Sequence, residues 1–211
     1  PFLVGILGIL LSAFGFFHPQ YDGHPSFQPA KMFLDTPGLA TSIILSLSVG
    51  LITTFLSLVG SFLLLVATFQ NRCLIWLQRL TATLIALPHI AVAIGFLFLL
   101  TPSGWLMRLL LPILTSDGRP PIWSVVPDPF GLTLIFGLLA KEIPFLFIIA
   151  VAAQMQLPIK RLYQLGIGLG YGLVSTWCLL ILPLIYRQIR LPIFAVLVFS
   201  LSVVDMALLL A

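Results

Sequence analysis

Long apolar runs alternate along the chain with short polar stretches rich in proline, and the runs set the predicted elements. Residues 1–17 carry no charge and predict a first helix, while 18–38, HPQYDGHPSFQPAKMFLDTPG, is polar and proline-rich and predicts a loop. A run over 39–69 predicts a second span, closed by the basic segment QNRCLIWLQR at 70–79. Residues 80–100 predict a third span, interrupted at Pro88-His89. Residues 101–130 read as a proline-rich loop whose short apolar piece around Leu109 would rest on a membrane surface. A fourth span is predicted over 131–154, 155–190 is mixed, and 191–211 begins a fifth. Several of these runs reach the roughly 20 residues that carry a helix across a bilayer core. None alternates as a membrane-barrel strand would. The expected fold is therefore all-α: a polytopic transmembrane helical bundle of about five spans, with 1–38 as first helix and outer loop and 39–211 as the main transmembrane domain. A chain that opens on proline and stops inside an apolar run reads as a piece of a longer one, cut within its C-terminal domain.

Composition strengthens the membrane assignment. Hydrophobic residues make up 60% and charged residues 8%, and the mean hydropathy is +1.19, whereas about 25% of a soluble domain is charged. The net charge of +4 is distributed over loops flanking the spans and forms no stripe that would hold a nucleic acid. Assigning alternate loops to opposite sides gathers Arg72, Arg79, Lys160, Arg161, Arg187 and Arg190 on one face and Lys31, Arg108 and Arg119 on the other. By the positive-inside rule the first face is cytoplasmic, which puts the N-terminus inside the cell membrane. The loop acids Asp22, Asp35, Asp117 and Asp128 all fall outside. Trp105 and Trp123 on the outer side, with Trp76 and Trp177 on the inner, suit interfacial anchoring. Cys73 and Cys178 lie near the reducing side with no neighbour at metal-ligand spacing, so neither a disulfide nor a metal is expected.

The densest glycine run, QLGIGLGYG at 164–172, poses a separate question. Its G-x-G-x-G-x-G spacing follows no strand, which excludes a dinucleotide-binding loop. Two other readings stay open: the pairs Gly166/Gly170 and Gly168/Gly172 as small-residue faces for a close helix neighbour, or glycines that simply loosen a connection. A third comes from the surroundings. Lys160-Arg161 precedes the run and Leu182-Pro183 follows it, thirteen residues separating Gly170 from Pro183.

This pattern resembles the coupling loop of ABC-importer permeases, which reads E-A-A, three residues, glycine, about eleven residues, then Leu-Pro. Gln164, Leu165 and Gly166 take the E-A-A positions, Gly170 the glycine, and Leu182-Pro183 the closing pair; the spacing matches, while Gln164 replaces the acid. The stretch Leu87-Pro88-His89-Ile90-Ala91-Val92-Ala93-Ile94-Gly95 is similar to the proline-broken helix of permeases for iron, sulfate, thiamine and related substrates. Phe199-Ser200-Leu201-Ser202-Val203-Val204-Asp205 looks like the start of their last conserved span, and Lys141-Glu142-Ile143-Pro144-Phe145 fits the span leading into the loop. The resemblance implies a type I importer permease whose cytoplasmic coupling helix docks on an ATP-binding ABC subunit. It also implies a second permease domain or subunit and an extracytoplasmic substrate-binding protein, which would deliver substrate to the outer loops. From the residues themselves, Tyr163, Leu165, Leu169 and Leu173 form one apolar stripe behind Lys160 and Arg161, which predicts a short imperfect helix.

Charges inside the spans are the remaining candidates. Lys141 and Glu142 fall near the middle of the fourth span and Asp205 inside the fifth, where an unpaired charge costs a few kcal/mol or more. Adjacent helix residues point about 100° apart, so Lys141 is expected to pair with Asp205 instead of Glu142. His89, at the helix break, is expected to bond freed backbone carbonyls. No HExxH, GxSxG or phosphate-loop motif occurs, so neither catalysis nor a cofactor is expected of the chain. The competing function is an ion-coupled secondary transporter using Lys141, Glu142 and Asp205 near the midplane.

Overall fold

The computed structural model describes residues 2–14, 26–69, 73–101, 103–114, 126 and 128–210. Among them the chain is helical without strands. It divides into two compact units, Pro1–Leu45 and Ser46–Ala211. The first holds α1 (Phe2–Ala13) and α2 (Gln28–Leu34), with the Phe14 ring edge-on to Phe27 at 5.7 Å. The helix α3 (Leu39–Ala67) starts in this unit and runs on into the second. After it come α4 (Cys73–Ala86), α5 (His89–Leu100), α6 (Trp105–Leu114), α7 (Leu132–Met155) and α8 (Ile159–Gly168). A continuous helix follows, made of α9 (Leu173–Thr176), a π-helical turn at Trp177–Ile181 and α10 (Leu182–Ser202), and α11 (Ala207–Leu210) closes the chain.

Among the described residues four helical stretches are long and apolar enough to cross a membrane: Leu39–Ala67, His89–Leu109, Leu132–Met155 and Leu173–Ser202. The expected five become four. The described helix α1 has 12 residues, about 18 Å at 1.5 Å per residue against a hydrocarbon core of about 30 Å. The second and fourth predicted spans coincide with α3 and α7 to within two residues, but the third and fifth are displaced. Pro88 carries ψ 146° and splits the third into α4 and α5, because its ring forbids the continuing helical bond. The span then runs on past a turn at Thr101 into α6. The fifth begins at Leu173 instead of 191 and stops at Ser202. Trp177, Ile181, Ile185 and Ile189 repeat every fourth residue and are all buried, so one packed stripe carries the helix through the mixed region. Arg187 and Arg190 consequently lie on its exposed side and not in a loop. The proline of Leu182-Pro183 sits in the first turn of α10, directly after the π-helical turn. Since Pro183 cannot donate to a carbonyl one turn back, the wider turn absorbs the missing bond.

Burial is inverted relative to a water-soluble protein. On α3 the buried face is Val49, Gly50, Thr53, Thr54, Ser57, Ser61 and Leu65, while Phe55 is 64% exposed and Ile44 67%. Large apolar side chains outside and small ones inside suit a lipid solvent, where helices associate by close approach instead of hydrophobic burial. Two glycines set that approach. A Cβ on Gly50 would lie 2.5 Å from Leu201 Cδ2 of α10, and one on Gly60 would lie 2.9 Å from Ile143 Cδ1 of α7. The apolar core that results joins Leu65 of α3 with Phe147, Ala150 and Val151 of α7, Ile159 of α8, and the Trp177–Ile189 stripe. At the other end of α7, the Asp128 carboxylate accepts from the backbone N–H of Phe130 at 2.9 Å and of Thr133 at 3.1 Å. This outer-loop acid thus caps a helix start.

Gly50→Val is expected to destabilise the bundle by about 1–3 kcal/mol through overpacking against Leu201. Gly95→Ala, where an added Cβ meets nothing within 4 Å, should stabilise α5 by about 0.5–1 kcal/mol. Unfolding of both variants in mild detergent checks the contrast, and equal effects would refute the proposed contact.

Candidate functional site

Two places gather the candidate residues: a helical elbow after α7 and a polar centre halfway along it.

The elbow is built by α8 and the turn behind it. Ile159, Leu162, Tyr163 and Gly166 recur at helical spacing and face the protein, with Ile159 and Gly166 buried. Phe69 meets both the Tyr163 ring at 5.0 Å and the Trp177 ring at 5.1 Å, in edge-on geometry that suits aromatic pairs. Trp177 is fully buried here and so anchors the elbow instead of an interface. Trp76 and Trp105 are exposed, and Trp123 lies outside the described residues. The opposite face of α8 presents Lys160, Arg161, Gln164 and Leu165 to the outside, with Leu165 61% exposed. The expected stripe of Tyr163, Leu165, Leu169 and Leu173 is therefore divided: Tyr163 turns inward and the three leucines are exposed.

The four glycines do different work. A Cβ on Gly166 would run into the Thr176 side chain, so this glycine lets α8 lie against α9. Gly170 takes φ 82° and ends α8. Its N–H bonds Ile167 O at 2.9 Å and the Tyr171 N–H bonds Gly166 O at 3.0 Å, the paired bonds of a left-handed C-terminal cap. Gly168 and Gly172 face open space, and Gly172 precedes α9. Pairwise glycine faces for another helix are not what the run forms. Of the coupling-loop candidates, Gln164 and Leu165 share the outer face, Gly166 points inward, Gly170 makes the turn, and Leu182 and Pro183 follow the π-helical turn.

At the polar centre, Lys141 and Glu142 are both buried and point apart. The Lys141 ammonium donates to Leu84 O at 2.9 Å, to Ile85 O at 2.8 Å and to Leu87 O. These are the open carbonyls at the C-terminal end of α4, left without partners by the break at Pro88, and a cation there also complements the helix dipole. The three ammonium protons meet three carbonyls. Lys141 therefore does not pair with Asp205, which is exposed in the turn beyond α10. Nor does His89 take the freed carbonyls; its ring lies against Phe199 at 4.7 Å. Glu142 Oε1 lies 2.6 Å from Ser200 Oγ of α10, and Oε2 lies 3.3 Å from Ser57 Oγ of α3. His89, Lys141 and Glu142 meet Phe145 and Phe199 around one cavity of about 270 Å³. Three of the four intramembrane candidates thus converge, and Asp205 does not. Sequence reasoning missed Ser57 and Ser200 as ligands of Glu142; the only signal for them was the small polar face of α3 and the serines of FSLS at 199–202. Among the described residues no three His, Cys, Asp or Glu side chains gather as metal ligands would.

No family model and no curated protein matches the chain.

Two outcomes follow for stability. Gly170→Ala should cost about 1–2 kcal/mol because the left-handed turn is strained for an L side chain, while Gly168→Ala, at the last residue of α8 where an added Cβ meets nothing, should cost nothing and gain at most about 0.5–1 kcal/mol. Lys141→Met should cost about 2–4 kcal/mol by stripping the carbonyls of α4, and exchanging the charges of Lys141 and Asp205 should not restore it. Unfolding measured for each variant in detergent tests these orders; recovery in the exchanged double variant would overturn the assignment of Lys141 to α4.

Proposed function

We propose that the chain is a membrane-spanning permease subunit of an ATP-driven importer, resembling type I ABC permeases, with α8 as the coupling helix. The observation that carries this reading is the form of the 164–183 segment. Gln164, Leu165 and Gly166 fall on a short helix between two spans, Gly170 turns the chain behind it and Leu182-Pro183 lies within the following span; the helix has one face fixed to the protein core and the other exposed. A lever needs both properties, rigidity toward its own bundle and an open face toward a motor. Lys160, Arg161, Gln164 and Leu165 would meet the ATP-binding subunit, and Gln164 would do so without the usual acidic charge. A second permease domain would complete the substrate path, and a binding protein would deliver substrate from outside.

The topology supports the same side for this helix. With Arg187 and Arg190 inside the last span, Arg79, Lys160 and Arg161 share one side against Lys31 and Arg108 on the other, Arg72 and Arg119 lying outside the described residues. The richer side would then be cytoplasmic, and with α3 as the first of the four described spans the segment before Leu39 would lie outside. An inner N-terminus, as the sequence suggests, requires one further crossing before Leu39. The carrier alternative draws on one observation, the Glu142 carboxyl beside a cavity at membrane depth.

A photo-crosslinking residue placed at Leu165 should capture an ATP-binding subunit in native membranes, and the same probe at the lipid-facing Phe55 should not. Transport that persists on an ion gradient alone, with no crosslink from position 165, would reject the importer in favour of the carrier.

A further inference from the structure

We propose that Glu142 and Ser200 form a reversible proton-binding site inside the helical bundle, reached through the cavity they share with His89. Ser200 Oγ lies between two oxygens, Glu142 Oε1 at 2.6 Å and Val196 O at 2.9 Å. A hydroxyl has one proton to donate and lone pairs to accept with. When the carboxyl is ionised, Ser200 donates to Oε1. When a proton arrives on Oε1, that O–H donates to Ser200 Oγ, and the serine hydroxyl turns to Val196 O. The second oxygen, Oε2, accepts from Ser57 in either state. One proton is gained, one hydroxyl rotates, and no heavy atom has to move.

The surroundings leave this exchange to the carboxyl itself. Lys141 is next in sequence, but its ammonium is committed to three carbonyls of α4 and is no counter-ion. From α3 the partner of Glu142 is the hydroxyl of Ser57, and from α10 it is that of Ser200. Besides Lys141, the other titratable group lining the cavity is His89, whose ring is tilted against Phe199 at 4.7 Å. Phe145 and Phe199, each more than a third exposed, frame the cavity where it approaches the surface of the bundle. The site goes beyond the importer reading and stands whichever energy source drives transport.

Infrared difference spectra of the whole protein in lipid nanodiscs, titrated from alkaline to acidic pH, test it. A protonated-carboxyl C=O band should grow in, move in heavy water, vanish in Glu142→Gln and shift in Ser200→Ala. Glutamine is close in shape and can bond both serines, so the variant keeps the bundle together. A band that survives in Glu142→Gln, a wild-type spectrum without a titrating buried carboxyl, or a frequency unmoved in Ser200→Ala would each overturn the proposal. None of these readouts involves an ATPase, so the failure of this site and the failure of the importer reading are separable.

Discussion

The arrangement of the bundle turns on the end of α4. Pro88 stops that helix beside the middle of α7 and leaves its last carbonyls without intrahelical donors. Lys141 supplies them from α7, which ties α7 to α4 at a fixed height and rotation. With Lys141 directed at α4, the next residue is turned about 100° around the helix, which aims Glu142 at α3 and α10 and brings the two serines into register with it. A single backbone break thus fixes which face of α7 meets each of its neighbours.

Packing around this centre relies on small residues. Gly50 and Gly60 bring α3 against α10 and α7, and most hydroxyls of its buried face bond their own or a neighbouring helix: Thr54 bonds Gly50 O, Ser61 bonds Leu58 O and Ser57 bonds Glu142, while the buried Thr53 hydroxyl has no partner among the described residues. The elbow uses a different solution. There Phe69, Tyr163 and Trp177 provide the bulk, and two of the four glycines are used structurally, Gly166 where α8 touches Thr176 and Gly170 where the chain turns back. The first arrangement lets helices lie close in lipid; the second holds a short amphipathic helix at the edge of the bundle.

What could be read in the sequence follows from the kind of signal each feature leaves. Long apolar runs such as 39–69 and 131–154 located α3 and α7 almost to the residue, and Pro144 inside the second did not end its helix. The last span was read too late because Pro183, Arg187 and Arg190 look like loop residues, while the buried ladder Trp177, Ile181, Ile185, Ile189 beneath them shows only when every fourth position is compared. Lys141 was paired with the wrong group for a more basic reason: its partners are backbone carbonyls, which have no letter in a sequence. The position of Glu142 in a span was legible, but its two serines come from helices 85 and 58 residues away, a separation over which residue spacing carries no information. The glycine run was visible as a run and opaque as to role, since open helix, tight contact and left-handed turn are all written with the same residue.

The elbow and the polar centre are mechanically one unit because the same two helices build both. Phe147 of α7 lies in the elbow core five residues, about 7 Å along the axis, from Glu142. Ile189 of α10 lies in that core eleven residues, about 16 Å, before Ser200. A force on α8 is therefore received by two helices that also hold opposite sides of the Glu142 contact. Both routes carry an internal proline, Pro144 in α7 and Pro192 in α10; Lys141 also ties α7 to α4, and α10 begins at a π-helical turn.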